Sequence, residues 1–135
     1  MRETDRLDLY LAEERAKPFE WSSRANGDCL LFLLGWAERL GLCAATHWRG
    51  AYACETGARM ALHRFGGELV AITEVLGPPR MGSSALRGDI GLMTVRSRTF
   101  GVISTGGMWA FRAIEGGVGF CRLPVDTCWN TRFSS

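Results

Sequence analysis

The hydrophobic pattern of the chain changes period once, at Gly77-Pro78-Pro79, and that switch limits the folds open to it. Before the prolines, apolar residues recur at helical spacing. Leu7, Tyr10 and Leu11 stand at i, i+3 and i+4 behind a capping Thr4, and Pro18 closes the stretch. Cys29 to about Leu40 is apolar on nearly every side, stops at Gly41, and reads as a buried helix. Ala44 to Trp48 has room for one helical turn. Thr56 can cap a further helix with Ala58, Ala61, Leu62 and Phe65 inward, stopped by Gly66-Gly67. Glu68 to Leu76 forms one more short helix. After the prolines the segments shorten and turn residues separate them. Asp89 to Val95, Phe100 to Ser104, Met108 to Ala113 and Val118 to Leu123 read as strands. Arg96-Ser97-Arg98, Gly106-Gly107 and Glu115-Gly116-Gly117 supply the turns between them. Cys128 to Arg132 reads as a last edge strand, and Arg80 to Arg87 as an exposed loop. Helices first and a meander second predict an α+β fold, N-terminal helices packed on a C-terminal antiparallel sheet of about 5 strands.

A chain of 135 residues makes one domain over residues 1–135, with a helical half to about 79 and a sheet half from about 86 to 133. The net charge is +2, Lys17 is the only lysine and the arginines are scattered, which argues against a nucleic-acid face. The longest apolar run, Cys29 to Ala37, is too short to span a bilayer, and the charged N-terminus does not read as a secretory leader. Five cysteines at irregular spacing do not suggest a disulfide framework, so synthesis in a reducing cytoplasm is expected. Cys43, His47, Cys54 and His63 form a Cys-x3-His-x6-Cys-x8-His series without the tight knuckle of a zinc site. No metal is expected there. Gly101 to Gly107 is followed by neither Gly-Lys-Ser/Thr nor a helix, so hairpin turns account for it, and no cofactor is expected.

Cys29 carries the chemical signal. It closes Asn26-Gly27-Asp28-Cys29, a loop with a capping Asn or Asp, and opens the buried helix. In a first helical turn, free backbone N–H groups and the helix dipole stabilise a thiolate. Asp28-Cys29, then Gly88-Asp89-Ile90, then Gly101-Val102-Ile103-Ser104-Thr105-Gly106 resemble the NlpC-type branch of the papain-like cysteine peptidases. A closer likeness is to small uncharacterised phage and prophage proteins. It rests on Trp21, Gly27-Asp28-Cys29, Trp48-Arg49-Gly50-Ala51-Tyr52, Gly57-Ala58 and Cys128-Trp129, and spans about residues 18 to 132. The resemblance implies a papain-like fold and a place in the virion, at a phage tail tip near the hub, with tail-tip and hub proteins as partners. Related active domains there cut the cell wall.

One departure changes that expectation. The family's catalytic histidine stands two residues before the glycine of the second strand, and here that position is Thr99. A threonine hydroxyl is no useful base near neutral pH. Cys29 then marks a vestigial nucleophile position, and the domain becomes a structural or docking module made in the host cytoplasm. Two alternatives stand beside this reading. One is an active cell-wall cysteine peptidase or amidase in which Cys29 works with an unrecognised base, His47 and His63 being the only histidines. The other is a host cytoplasmic adaptor. His47 reads as a loop or surface residue and His63 as half-exposed on a helix. Trp21 and Trp48 lie in connections, where an indole closes a groove, anchors a partner or simply packs on the core. Arg49 can stack or pair with a carboxylate, and Asp28 can cap the helix or touch a partner.

Overall fold

Among the described residues, four α-helices precede six strands, the order that the switch at the prolines predicts. A computed structural model describes residues 5–21, 27–42 and 48–131. Thr4, Asn26, the expected helical turn from Ala44 to His47, and Arg132 lie outside the described residues.

Helix α1 (Arg6–Arg15) starts at Asp5, whose carboxylate accepts the Asp8 N–H at 2.9 Å while the Asp8 carboxylate accepts the Asp5 N–H. This reciprocal pair satisfies two N–H groups that would otherwise lack partners. Helix α2 (Cys29–Arg39) is capped by Asp28, whose Oδ1 accepts the Leu31 N–H at 2.9 Å. Every residue from Leu30 to Ala37 is buried, as a helix apolar all round requires. Helix α3 (Glu55–Phe65) begins before Thr56, because the Cys54 sulfur accepts the Gly57 N–H at 3.4 Å and takes the capping position. Of its expected inward residues, Ala58 is buried; Ala61, Leu62 and Phe65 are half-buried against the core. Helix α4 (Glu68–Leu76) follows as expected.

The strands are β1 (Arg80–Met81), β2 (Ile90–Val95), β3 (Arg98–Ser104), β4 (Trp109–Arg112), β5 (Val118–Cys121) and β6 (Thr127–Trp129), in the order β1-β6-β2-β3-β4-β5. All neighbours are antiparallel. The sheet therefore has six strands rather than about five, and two expectations are corrected. Arg80–Met81, read as loop, pairs with Cys128 and Thr127. β6, read as an edge, lies between β1 and β2, with Ile90 opposite Trp129. Both corrections have one cause: a segment of two or three residues carries too little alternation to show its partner, and pairing is decided across the sheet.

α2 lies on the sheet face that carries Ile90, Leu92, Gly101, Ile103 and Ala110. Gly101 makes that approach possible: a Cβ there would stand 1.8 Å from Leu33 Cδ2 and 2.8 Å from the Cys29 carbonyl oxygen. α1 packs on α2 through Tyr10, whose hydroxyl donates to the Phe32 carbonyl and whose ring lies 5.6 Å from that of Trp36. The buried indoles find acceptors, Trp36 Nε1 at 2.8 Å from the Gly88 carbonyl and Trp129 Nε1 at 2.9 Å from the Gly77 carbonyl. The Gly88-Asp89 pair serves as a junction: Asp89 accepts the Leu86 and Thr131 N–H groups, tying the entry of β2 to the chain beyond β6.

Candidate functional site

Cys29 is the first residue of α2 and stands over β3, where Gly101 lets the helix end touch the strand. Side chains two apart on a strand share a face, so Thr99 points to the same side as Gly101. Both line one cleft with Cys29, about 570 Å³ in volume. The cleft is bounded by the start of α2, by α3, by the β2–β3 hairpin and by the aromatic connection after α1. Trp21 and Phe19 form an edge-to-face pair on its wall, ring centroids 4.8 Å apart.

Asp28 is buried beside the thiol. One carboxylate oxygen caps α2 and the other accepts the Tyr52 hydroxyl at 2.6 Å. Desolvation raises the Asp28 pKa, opposed by the Leu31 N–H and the Tyr52 hydroxyl. Desolvation likewise raises Tyr52, with the Asp28 charge adding to it. Cys29 is pushed up to about 11, first by burial and then by the Asp28 charge, against the lowering effect of backbone N–H groups at Cys29 and Gly101. The helix end does supply its donors, but burial and a neighbouring carboxylate outweigh them. This reverses the thiolate expected from position alone. Thr99 Oγ1 lies 3.4 Å from Thr94 Oγ1 across the hairpin, and no residue lining the cleft is a histidine among those described.

The shift sets a reactivity. With its pKa raised from 9.0 to about 11, Cys29 is roughly 100-fold less ionised at pH 7 than an ordinary thiol. Its greater nucleophilicity per thiolate recovers about 6–10-fold, so alkylation by iodoacetamide is expected to run roughly 10–15-fold slower than for a free cysteine. Asp28→Asn keeps a capping side chain and removes the charge. It is expected to speed Cys29 alkylation several-fold at pH 7–8, with stability changed by less than about 1 kcal/mol. Mass-resolved alkylation rates check this; an unchanged rate in Asp28→Asn would show that the carboxylate does not hold the thiol neutral.

The other expected site residues divide. Trp21 is on the cleft wall. Trp48 is not: it is buried in the core with its ring 5.2 Å from Phe65. Arg49 pairs with the Glu38 carboxylate and is not among the residues lining the cleft. Both local contexts looked alike in sequence, a Trp beside polar residues in a connection; only packing separates them. His63 is exposed on α3, more open than its sequence suggested, and does not line the cleft. Cys43 and His47 lie outside the described residues, and Cys54 is taken up in capping α3. Among the described residues, no group of three or more His, Cys, Asp or Glu side chains could hold a metal ion.

Two residues of the cleft region were missed. Arg112, on its back wall, is fully buried and pairs with buried Glu14 of α1. Its guanidinium also lies 5.2 Å from the Phe32 ring centroid. The signal was present: Glu14 continues the inward stripe Leu7, Tyr10, Leu11, and Arg112 shares the inward face of β4 with Ala110. A carboxylate and a guanidinium both at inward positions point to a buried pair. Glu68, at the start of α4, was passed over as an ordinary helix residue, yet it lines the cleft and its charge adds to the upward shift of Cys29.

Fold and site together define a small α+β domain whose helix-borne cysteine abuts a strand at the wall of an open cleft. A family model described as "Domain of unknown function (DUF6950)" matches residues 1–131, and the chain belongs to that family. No curated protein and no solved structure matches the chain. No helix among the described residues is long and apolar enough to cross a membrane.

Proposed function

We propose that this is a catalytically degenerate NlpC-like domain of papain-like fold, acting as a structural or docking component of a phage tail tip near the hub. The observation that carries the loss of catalysis is the facing of Cys29 and Thr99 across the Gly101 contact. The strand position that a base would need holds a hydroxyl, and the thiol itself is kept protonated by burial and Asp28. The order of elements supports the fold assignment: a cysteine opening a buried helix, then an antiparallel sheet whose second long strand packs on that helix end. Placement in the tail rests on the sequence likeness to phage proteins over about residues 18 to 132. A domain that keeps its cleft and cap without a base serves binding and assembly rather than turnover.

Incubation of the purified chain with peptidoglycan is expected to release no stem peptides beyond the level seen with Cys29→Ser, as read by mass spectrometry. Release by wild type that disappears in Cys29→Ser would establish the active hydrolase instead, and His47→Ala and His63→Ala would then locate its base. In purified particles of a phage encoding the chain, the protein is expected at tail stoichiometry. Its absence from particles would overturn the virion assignment and favour a cytoplasmic adaptor.

A further inference from the structure

We infer that the cleft docks an extended acidic peptide segment of a partner protein, its carboxylates held by Arg96 and Arg98 and an adjoining apolar side chain seated on Trp21 and Phe19. This rests on the reading of the domain as a docking module, and it names the chemistry of the partner.

The charges of the cleft are unevenly spent. Arg59 is 2.7 Å from Glu55, and Arg112 is committed to Glu14. Arg96 and Arg98 also line the cleft, are exposed, and have no carboxylate partner among the described residues. They flank Ser97 at the tip of the β2–β3 hairpin, a two-residue turn in which Arg96 has φ 50° and Ser97 φ 66°. Such a turn is most easily made by Asn-Gly, and a side chain held in the left-handed region is strained. Folding alone therefore gives no reason for an arginine at the first of these positions. Backbone held in sparsely populated regions concentrates at ligand clamps, and paired arginines are a recurrent means of reading acidic motifs.

The rest of the cleft selects the occupant. Its aromatic pair and Leu62 offer apolar surface, and Ile114 at its margin is 67% exposed. The volume of about 570 Å³ suits a few residues of extended chain. The other lip carries the Glu68 carboxylate at the start of α4 and the Glu55 carboxylate at the start of α3, the latter paired with Arg59. A nucleic acid, negative along its whole backbone, would meet those carboxylates as well as the arginines. A peptide can place its carboxylates on the hairpin lip alone and turn backbone N–H groups toward Glu68. That asymmetry favours an acidic peptide over a polyphosphate.

The test is selection of random peptides of about twelve residues on the immobilised full chain, followed by fluorescence anisotropy with the recovered sequences. Recovered peptides are expected to carry Asp or Glu beside Trp, Phe or Leu. Their affinity is expected to fall about tenfold or more for Arg96→Ala/Arg98→Ala, and comparably for Trp21→Ala or when the peptide acids become amides. Arg80→Ala, an exposed arginine on β1, controls for net charge and is expected to change nothing. Cys29→Ser is also expected to bind normally. Failure to recover such peptides, equal binding by the double arginine variant, or tighter binding of an oligothymidylate or a muropeptide in competition would overturn the inference. A negative peptide result with intact peptidoglycan sinks this inference alone; hydrolysis of peptidoglycan sinks the docking-module reading itself.

Discussion

Arg112→Met is expected to destabilise the protein by about 3–5 kcal/mol, the loss typical when one member of a buried ion pair is removed. Arg112 Nη1 donates to the carbonyls of Glu14 at 2.7 Å, Gly117 at 2.9 Å and Lys17 at 3.3 Å, while Nη2 donates to the Glu14 carboxylate. One guanidinium thus joins the end of α1, the start of α2 through the Phe32 ring, and the β4–β5 turn. Without it, three carbonyls lose a donor and a carboxylate of near-zero exposure keeps only the Lys17 ammonium, 2.6 Å from its other oxygen. Arg112→Lys retains the charge but lacks the planar fork, so it should recover only part of the loss. Urea unfolding checks this as a fall in midpoint at constant slope. Glu14→Gln with Arg112→Met should cost less than the two changes summed, because the pair is strongly coupled. Strict additivity would show that the two side chains act separately. A loss of this size is a large part of the roughly 5–15 kcal/mol that holds a domain folded.

Gly101→Ala is expected to cost about 2–3 kcal/mol although it adds one methyl group. The new carbon would fall 1.8 Å from Leu33 Cδ2, on a side chain with no exposure, and 2.8 Å from the Cys29 carbonyl. The carbonyl belongs to the first turn of α2 and, unlike the Leu33 side-chain tip, cannot rotate aside, so the helix end must lift from β3. That movement exposes more of the half-buried Cys29. Faster alkylation of Cys29 should therefore accompany the loss of stability, a pairing that simple loosening elsewhere would not produce. Leu33→Ala leaves a cavity where the methyl is aimed, so the double variant should be less damaged than the sum of the single ones. A Gly101→Ala protein of unchanged stability and thiol reactivity would contradict the close packing of α2 on β3.

What was legible in the sequence acts over a few residues. The stripe Leu7, Tyr10, Leu11, an Asn or Asp cap before Cys29, and a turn across Arg96-Ser97-Arg98 each encode local geometry; the structure narrows the cap to Asp28 and the turn to Arg96-Ser97. They place α1, α2 and the long hairpin strands close to where the fold has them. Cap identity was less legible where several residues could serve: Cys54 rather than Thr56 starts α3, since the sulfur reaches the Gly57 N–H. The candidate site was half legible. Cys29, Asp28, Trp21 and Thr99 do line one cleft, while Trp48 and Arg49 serve the core and an ion pair with Glu38.

The sequence by itself determined the α-then-β order, the helix-opening cysteine and the absence of a histidine at position 99. Those follow from residue identity, spacing and caps. Only the tertiary structure decided that β6 inserts between β1 and β2, that Arg112 meets Glu14 across the chain, and that the Cys29 thiol stays protonated. The physical reason is shared. Strand pairing, ion pairing and desolvation depend on which distant segments arrive at a residue, and distance along the chain says little about arrival in space.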